Sequence, residues 1–459
     1  MVNEKGFLDK IESFVSLLKD LFVKRAKVLI VSHNDADGIT SAGILSFLLH
    51  KMKVSFNSRI LKELNPREID NLASENYDFY LIADFGASLT PHLDEKIKNY
   101  FIIDHHEIPE SEREHLKVLN PWQFDIDGST QISSAGLCYY AAKNLDFNGK
   151  FLSILALVGA LGDRQDQGKD RSLLGLNEVI IKDAQDSLYL QTKKDLLLYG
   201  SETKPLYKLL ASLENPYMPE LFGREDKCIA VLNSYGLNLK DALNWRTLSD
   251  LGYEEKKKIF EIIVYHSRFD QKNLENLVGQ RYLLNYEEPH SPLKDAREFA
   301  TLLNACGRLQ RASLGLSLTL GDRKILKRAE ELLAEYRKKL AYYTNTILNQ
   351  ERFIERRRNF SLVKGDVFLD ENFTGALASI LLNYTKFRGE VIVARALTNG
   401  EFKISARSDK EDVNLGKALQ KASTLLGEMG GGHKRAGGAR IRANKIEEFL
   451  KILEDELEH

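Results

Sequence analysis

Three short apolar runs near the start of the chain each end in acids and imidazoles. Lys27-Val-Leu-Ile-Val31 leads into Ser32-His33-Asn34-Asp35-Ala36-Asp37-Gly38, and Tyr77-Asp-Phe-Tyr-Leu-Ile-Ala83 leads into Asp84-Phe85-Gly86. Tyr100-Phe-Ile-Ile103 leads into Asp104-His105-His106. Runs this short, rich in β-branched and aromatic residues, predict buried strands. Between them the pattern predicts an amphipathic helix at about 6–25, an apolar helix over Ile39–Leu49 opened by Asp37-Gly38, a strand near Val54–Arg59 and a helix near Pro66–Ser74. Such β-α-β-α-β alternation with short turns predicts a doubly wound parallel sheet. The carboxyl ends of its strands share one edge, where ligands bind. That edge would gather Asp35, Asp37, Asp84 and Asp104 with His33, His105 and His106. Like charges converge in this way only around something positive, and a pair of divalent cations fits.

Further along, Asn120-Pro121-Trp122 reads as a loop, and Thr130–Leu137 begins a helix with hydroxyl residues at its start. The run Ile154–Leu161 predicts a buried helix that ends at Gly162-Asp163, so one more carboxylate arrives from a helix end. Residues 176–300 read as a mainly helical, polar insertion without a catalytic pattern. Arg323–Arg358 lacks Pro and Gly and repeats apolar residues from Leu326 to Ile347. It predicts one helix of about 50 Å at ~1.5 Å per residue, joining two lobes. Val391–Ala396 and Glu401–Ala406 predict a hairpin around Asn399-Gly400, and Glu428–Gly438 a glycine-rich loop. The expected fold is α/β with two lobes: residues 1–175 catalytic, 176–300 the insertion, 301–358 the end of the first lobe and the long connecting helix, and 359–459 a smaller α/β substrate-binding domain.

Composition narrows the function. The chain has 459 residues, 43% hydrophobic, and a net charge of −1, so it holds more than one domain, and any nucleic-acid surface must be local. Met1–Lys10 is polar and no apolar run reaches ~18 residues, so a cytoplasmic protein without a membrane partner is expected. Cys138, Cys228 and Cys306 lie far apart with no CxxC pair. They read as buried hydrophobes, not as a disulfide framework or a zinc site.

Mixed carboxylate and imidazole donors suit Mn²⁺ or Mg²⁺ better than structural zinc. His33, Asp35 and Asp37 alternate, which in an extended stretch turns all three to one side. Asp84 is the candidate to bridge two ions ~3.5–4 Å apart, a pair that activates water and stabilises an in-line displacement at phosphorus. Gly430, Gly431 and Gly432 leave backbone N–H groups open to a phosphate, and His433, Lys434 and Arg435 add charge. Arg407 and Ser408 end a strand that would face the same cleft, and Arg308 would face it from the first lobe. The patch Arg352, Arg356, Arg357 and Arg358 reads either as electrostatic steering for a strand or as a solvated helix end.

The four clusters His33–Gly38, Asp84–Gly86, Asp104–His106 and Gly162-Asp163 resemble the four ordered motifs of the DHH phosphoesterases. Gly430–Gly438 resembles the phosphate-binding loop of the DHH-associated C-terminal domain. The long helix and Leu303-Asn-Ala-Cys-Gly-Arg308 resemble the RecJ-type single-strand exonucleases. His33, where bacterial members usually have Asp, and the compact length resemble the archaeal RecJ-like proteins, which include nucleases attached to GINS. The resemblance implies that His33, Asp35 and Asp84 hold one ion, and Asp37, Asp84, His105 and Asp163 the other. It implies that His106 touches the scissile phosphate, that Asp104 orients its neighbours, and that Asp37 shares in catalysis. Arg308, Arg407, Ser408, Gly430, Gly431, Gly432 and His433 would bind substrate. The implied activity is a two-ion, Mn²⁺- or Mg²⁺-dependent exonuclease on single-stranded DNA or RNA in DNA replication or repair, with GINS or another replisome protein as partner. Two alternatives are a phosphodiesterase for oligoribonucleotides or cyclic dinucleotides, and a replisome scaffold without chemistry.

Overall fold

Strand β1 (Lys27–His33) lies inside a five-stranded sheet with β2 (Ser55–Leu61), β3 (Phe79–Ala83), β4 (Tyr100–Ile103) and β5 (Val118–Leu119). The order is β2-β1-β3-β4-β5 and every pairing is parallel. Successive residues face opposite sides. Leu29, Val31, Tyr80, Ile82, Tyr100 and Ile102 pack with Ile69, Leu72 and Leu93 of helices Pro66–Ala73 and Thr90–Lys96. Val28, Ile30, Leu81, Ala83, Phe101 and Ile103 pack under helices Glu4–Val23, Ala36–Lys51, Ser134–Asn144 and Leu152–Gly162. Both faces are covered, which is why the strands read as unbroken apolar runs. The strand order reverses between β1 and β3, and that switch point is where such sheets open a crevice.

This computed structural model describes residues 3–458 except 109, 111, 112, 146–148, 214, 215, 217, 268–274, 383, 385, 386 and 388. The chain forms two units, Met1–Ala211 with Arg224–Leu333, and Ser212–Gly223 with Ala334–His459. Among the described residues no helix is long and apolar enough to cross a membrane. Cys138, Cys228 and Cys306 are fully buried.

The segment after the sheet contains helices Leu176–Asp186, Leu206–Ala211, Glu225–Ser234 and Tyr253–Ser267. It also contains strands the sequence did not predict: β6 (Leu190–Leu196), β7 (Lys240–Asp241), β8 (Asn244–Trp245) and β9 (Val278–Leu284). β6 and β9 pair antiparallel along their whole length. Arg281 on β9 is 1% exposed and lies 2.7 Å from Glu202, 2.9 Å from Asp295 and 3.5 Å from Asp195. A buried guanidinium is tolerated only with such partners.

The predicted 323–358 helix is shorter. It runs over Leu326–Asn349, 24 residues and ~36 Å, and the boundary between the two units falls within it. Ile354–Arg356 instead forms β10, antiparallel to β11 (Ser361–Lys364). Sheet pairing here overrides a weak local helix preference. Arg356 at the end of β10 and the two arginines after it are engaged by acids: Arg356 with Glu390, Arg357 with Glu447 at 2.9 Å, and Arg358 with Asp455 at 3.2 Å. Three of the four arginines of the expected patch are thus paired with acids.

In the second unit the sheet order is β10-β11-β12-β13-β15-β14, with β12 (Val391–Thr398), β13 (Glu401–Ser408), β14 (Met429–His433) and β15 (Ala436–Arg442). Asn399 (φ 52°) and Gly400 (φ 80°) make the predicted β12–β13 turn. The glycine-rich stretch is not a loop. It is the β14–β15 hairpin, with Gly431 opposite Gly438 and Gly432 opposite Gly437. A Cβ at Gly437 would meet Leu419 Cδ1 at 2.5 Å and the Gly431 carbonyl at 2.8 Å, so close strand and helix packing demands glycine there.

Candidate metal centre

β1, β3 and β4 deliver their last residues to one edge of the sheet. Ser32 pairs with Ala83, and Ala83 with Ile103, so His33, Asp84 and Asp104 follow on adjacent strands. Asp84 leaves β3 in a left-handed turn, φ 67°, a conformation Asp tolerates better than most residues. The extended alternation predicted for His33, Asp35 and Asp37 is incorrect for the third residue. The helix starts at Ala36 and Asp35 is its N-cap, accepting the Gly38 N–H at 3.0 Å. Asp37 therefore reaches the edge from the first helical turn. Its carboxylate accepts the N–H groups of Ser134 (2.7 Å) and Ala135 (3.0 Å) at the start of helix Ser134–Asn144. A Cβ at Gly159 would strike Asp37 Oδ1 at 2.4 Å, so that glycine makes room for the acid.

Two donor sets result. In one, ligand atoms of Asp37, Asp84, His105 and Asp163 lie within 4.8 Å of one another; in the second, those of His33, Asp35 and Asp84 do. Asp84 belongs to both. His105 Nε2 lies 3.1 Å from Asp163, 3.4 Å from Asp84 and 3.8 Å from Asp37. His33 Nδ1 lies 2.8 Å from Asp35 and 3.4 Å from Asp84. Asp163 comes from the C-cap of helix Leu152–Gly162, as predicted. A third combination, Asp84, His105 and His106, also converges.

The electrostatics suit a cation held among these carboxylates. Burial, then Asp35 and Asp37, push the Asp84 carboxyl well above its ordinary range. Burial and Asp37 push Asp163 up to about 6 against the pull of His105. Burial opposes charge on His105, yet Asp163 and Asp84 raise it well above the ordinary value. Both Asp84 oxygens and Asp163 Oδ2 are buried and accept no well-aligned hydrogen bond among the described residues. Buried polar atoms are rarely left so. Oxygen and imidazole donors aimed at a common point suit Mn²⁺ or Mg²⁺.

Asp104 stands outside both sets. It accepts the Ala87 N–H at 3.1 Å and the His106 N–H at 3.2 Å, and its Oδ1 lies 2.7 Å from His106 Nδ1. Burial works against its charge, but His106 draws Asp104 down to about 2. The His106 side chain is 43% exposed, at the mouth of the site.

Residues inside the quoted motifs to which no role was assigned hold this edge together. Asn304 accepts the Ala36 N–H at 3.0 Å, and Asn34 donates to the Gly307 carbonyl at 3.1 Å. A Cβ at Gly307 would fall 1.5 Å from the Asn34 carbonyl. Helix Ala296–Arg308 thereby braces the first acidic loop and brings half-buried Arg308 beside it. In the second unit, Arg407 donates to Ser379 Oγ at 3.2 Å and to the Ala406 carbonyl at 2.8 Å. Ser408 does not share its face. Alternation puts Ser408 on the side of Phe402, Ile404 and Ala406, where it is 4% exposed. Gly430, Gly431 and Gly432 lie on β14, and a Cβ at Gly431 meets nothing within 4 Å. The side chain of His433 lies outside the described residues.

Family models match three segments: the N-terminal domain of the DHH family over residues 27–160, the DHH-CID domain over 198–278 and the DHHA1 domain over 366–459. The chain belongs to the DHH superfamily. It is 29% identical over 458 residues to an uncharacterised protein of Methanocaldococcus jannaschii, covering 98% of this chain and 97% of that one. Its DHH fold is shared with CDC45 from Entamoeba histolytica (TM-score 0.66, 14% identity, 98% of this chain and 99% of that one). It is also shared with Mn²⁺-bound RecJ from Thermus thermophilus (TM-score 0.58, 17% identity), where 98% of this chain spans 54% of the other. The fold is therefore RecJ-like, with a parallel sheet in the N-terminal part and a separate sheet in the C-terminal part.

Proposed function

We propose that this DHH protein is a two-metal-ion phosphodiesterase that removes nucleotides from an end of single-stranded DNA or RNA, in DNA replication or repair. The observation that carries the reading is the Asp84 carboxylate, buried between two donor sets with neither oxygen accepting a well-aligned hydrogen bond among the described residues. Family membership and a fold in common with Mn²⁺-bound RecJ support it. His33, Asp35 and Asp84 would hold one ion; Asp37, Asp84, His105 and Asp163 would hold the other. When bound, two such ions supply an activated water and positive charge opposite both oxygens of the displacement. The chain's own residues do the rest. Burial opposes charge on His106, but Asp104, 2.7 Å from Nδ1, helps raise it above the ordinary value, and in that protonated form the far ring nitrogen can donate to a phosphate oxygen. Asp37, clamped by two backbone N–H groups, is a rigid ligand.

In the DHHA1 segment the open side of Gly431 and the guanidinium of Arg407 are the candidates to take a backbone phosphate. The archaeal relative supports an archaeal RecJ-like assignment.

A second reading, a replisome scaffold bound to GINS, draws support from end-to-end likeness to CDC45. It also draws on the exposed Leu243 (93%) and Trp245 (39%) of the DHH-CID hairpin. The complete donor set favours chemistry. End-labelled DNA and RNA strands of graded length, incubated with Mn²⁺ or Mg²⁺, test the choice. Shortening from one end that is lost in Asp84→Ala is expected. Intact strands under every condition would leave the scaffold reading.

A further inference from the structure

His105 has two ring nitrogens with opposite tasks. Nε2 faces the carboxylates of Asp163, Asp84 and Asp37. Nδ1 lies 2.7 Å from the Gly128 carbonyl. A carbonyl only accepts, so Nδ1 carries the hydrogen and Nε2 is left to ligate. The placement of that carbonyl therefore decides whether His105 can serve as a ligand at all.

Gly128 lies in a stretch without regular structure, so the hold on its carbonyl must come from elsewhere. It comes from Gln165, a side chain with no solvent exposure two residues past the ligand Asp163. Its amide donates to the Gly128 carbonyl at 2.9 Å and to the Ile132 carbonyl at 3.1 Å. Its Oε1 accepts from Asn177 Nδ2 at 2.8 Å. Asn177 is 1% exposed, and its own N–H is anchored on the Gln131 carbonyl at 3.0 Å. The amide cannot be turned over: that would set Oε1 against two carbonyls and the Asn177 donor against an NH₂ group. The Gly128 segment also has no slack, because a Cβ there would fall 2.0 Å from the His105 carbonyl.

We propose that Gln165, held by Asn177, is a positioning residue for the metal centre: it clamps the Gly128 carbonyl that orients His105 and fixes its tautomer. The inference rests on the two-ion reading and adds to it a residue outside both donor sets. Outer-shell partners of ligating histidines typically support metal affinity by about 10–100-fold. The effect belongs to the Asp37–Asp84–His105–Asp163 set alone, since His105 is absent from the His33–Asp35–Asp84 set.

The test is Mn²⁺ titration calorimetry on the full chain as wild type, Gln165→Met and Asn177→Ala, beside thermal melts in EDTA. Methionine keeps the bulk and removes both donors. The expected result for Gln165→Met is one of two Mn²⁺ sites weakened by about 10–100-fold with the other unchanged, and a smaller loss at the same site in Asn177→Ala. In Mg²⁺-saturated protein with ¹⁵N-labelled histidine, the His105 signal, identified by its absence in His105→Asn, is expected to lose its single-tautomer shifts in Gln165→Met. Folded variants whose Mn²⁺ affinity stays within about twofold of wild type at both sites would overturn the proposal. So would equal weakening of both sites in step with the melting temperature, which marks a fold element only. If Gln165→Met fails to fold, the same outcomes are read from Asn177→Ala. A wild type that takes up no Mn²⁺ would strike the two-ion reading itself, and is told apart because the variants are then not needed.

Discussion

Replacing Asp163 by Asn should change stability in opposite directions without and with metal. Burial and the neighbouring Asp37 raise the Asp163 carboxyl from 3.8 to about 6. That is about two units, or about 3 kcal/mol at ~1.36 kcal/mol per unit. The folded state keeps this proton where the unfolded chain has released it. Stability therefore falls as pH rises from about 4 to about 6, and above that the whole cost is present. The side chain is only 18% exposed, so water screens little of it. Asparagine has no charge to bury. Asp163→Asn should gain up to about 3 kcal/mol in metal-free protein near pH 8 and little near pH 4, a rise of several degrees in the melting midpoint. Mn²⁺ stabilises the wild type by binding only the folded state. The variant, short of one anionic ligand, should gain much less from it. Melts in EDTA and in Mn²⁺ at both pH values make the comparison. A variant less stable than wild type near pH 8 in EDTA would refute the reasoning, because Asp163 would then be the ion-pair partner of His105 at 3.1 Å and not a carboxylate held ready for a cation.

The two glycines of the β14–β15 hairpin should separate by role. Gly431→Val, where a Cβ meets open space but the backbone stands at φ 158°, should weaken binding of strands longer than a few nucleotides with Mn²⁺ titration unaltered, at some cost in melting temperature, whereas Gly437→Val, which also strikes Leu419 and the Gly431 carbonyl, should lower the melting temperature without a separate effect on strand binding. Arg281→Met should cost about 3–5 kcal/mol in thermal or denaturant unfolding, because Asp195, Glu202 and Asp295 would lose their shared cation. Leu243→Asp in the DHH-CID hairpin should reduce capture of GINS and leave digestion of short strands near normal.

The sheet and its acidic edge were legible because each signal is local: an apolar run names the strand or helix, and the residues that follow it name the candidate ligands the structure brings together. His33, Asp84, His105 and Asp163 could be found in this way. Asp37 was found for the wrong reason, since alternation was assumed where a helix begins at Ala36. Gln165 and Asn177 left no such trace, and Asn304 was legible only as part of a motif with no role assigned to it. Each acts through a partner 12 to 268 residues away, and a single amide, whether just past a helix end as in Gln165 or within a helix as in Asn177 and Asn304, has no signature of its own. β6 was hidden similarly. Leu-Gln-Thr-Lys-Lys-Asp-Leu is too charged to read as a strand, and among the described residues its partner β9 lies beyond three intervening α-helices. The glycine run reads as a loop by composition, yet its glycines are set by a helix pressed on a close strand pair.

The account stands on two ions bridged by Asp84. Crystals grown with Mn²⁺ and measured at the manganese absorption edge test this most directly. Two anomalous peaks ~3.5–4 Å apart, one on each side of the Asp84 carboxylate, are predicted; both should vanish in Asp84→Ala. A single peak, or none, between His33 and His105 in saturating Mn²⁺ would contradict it.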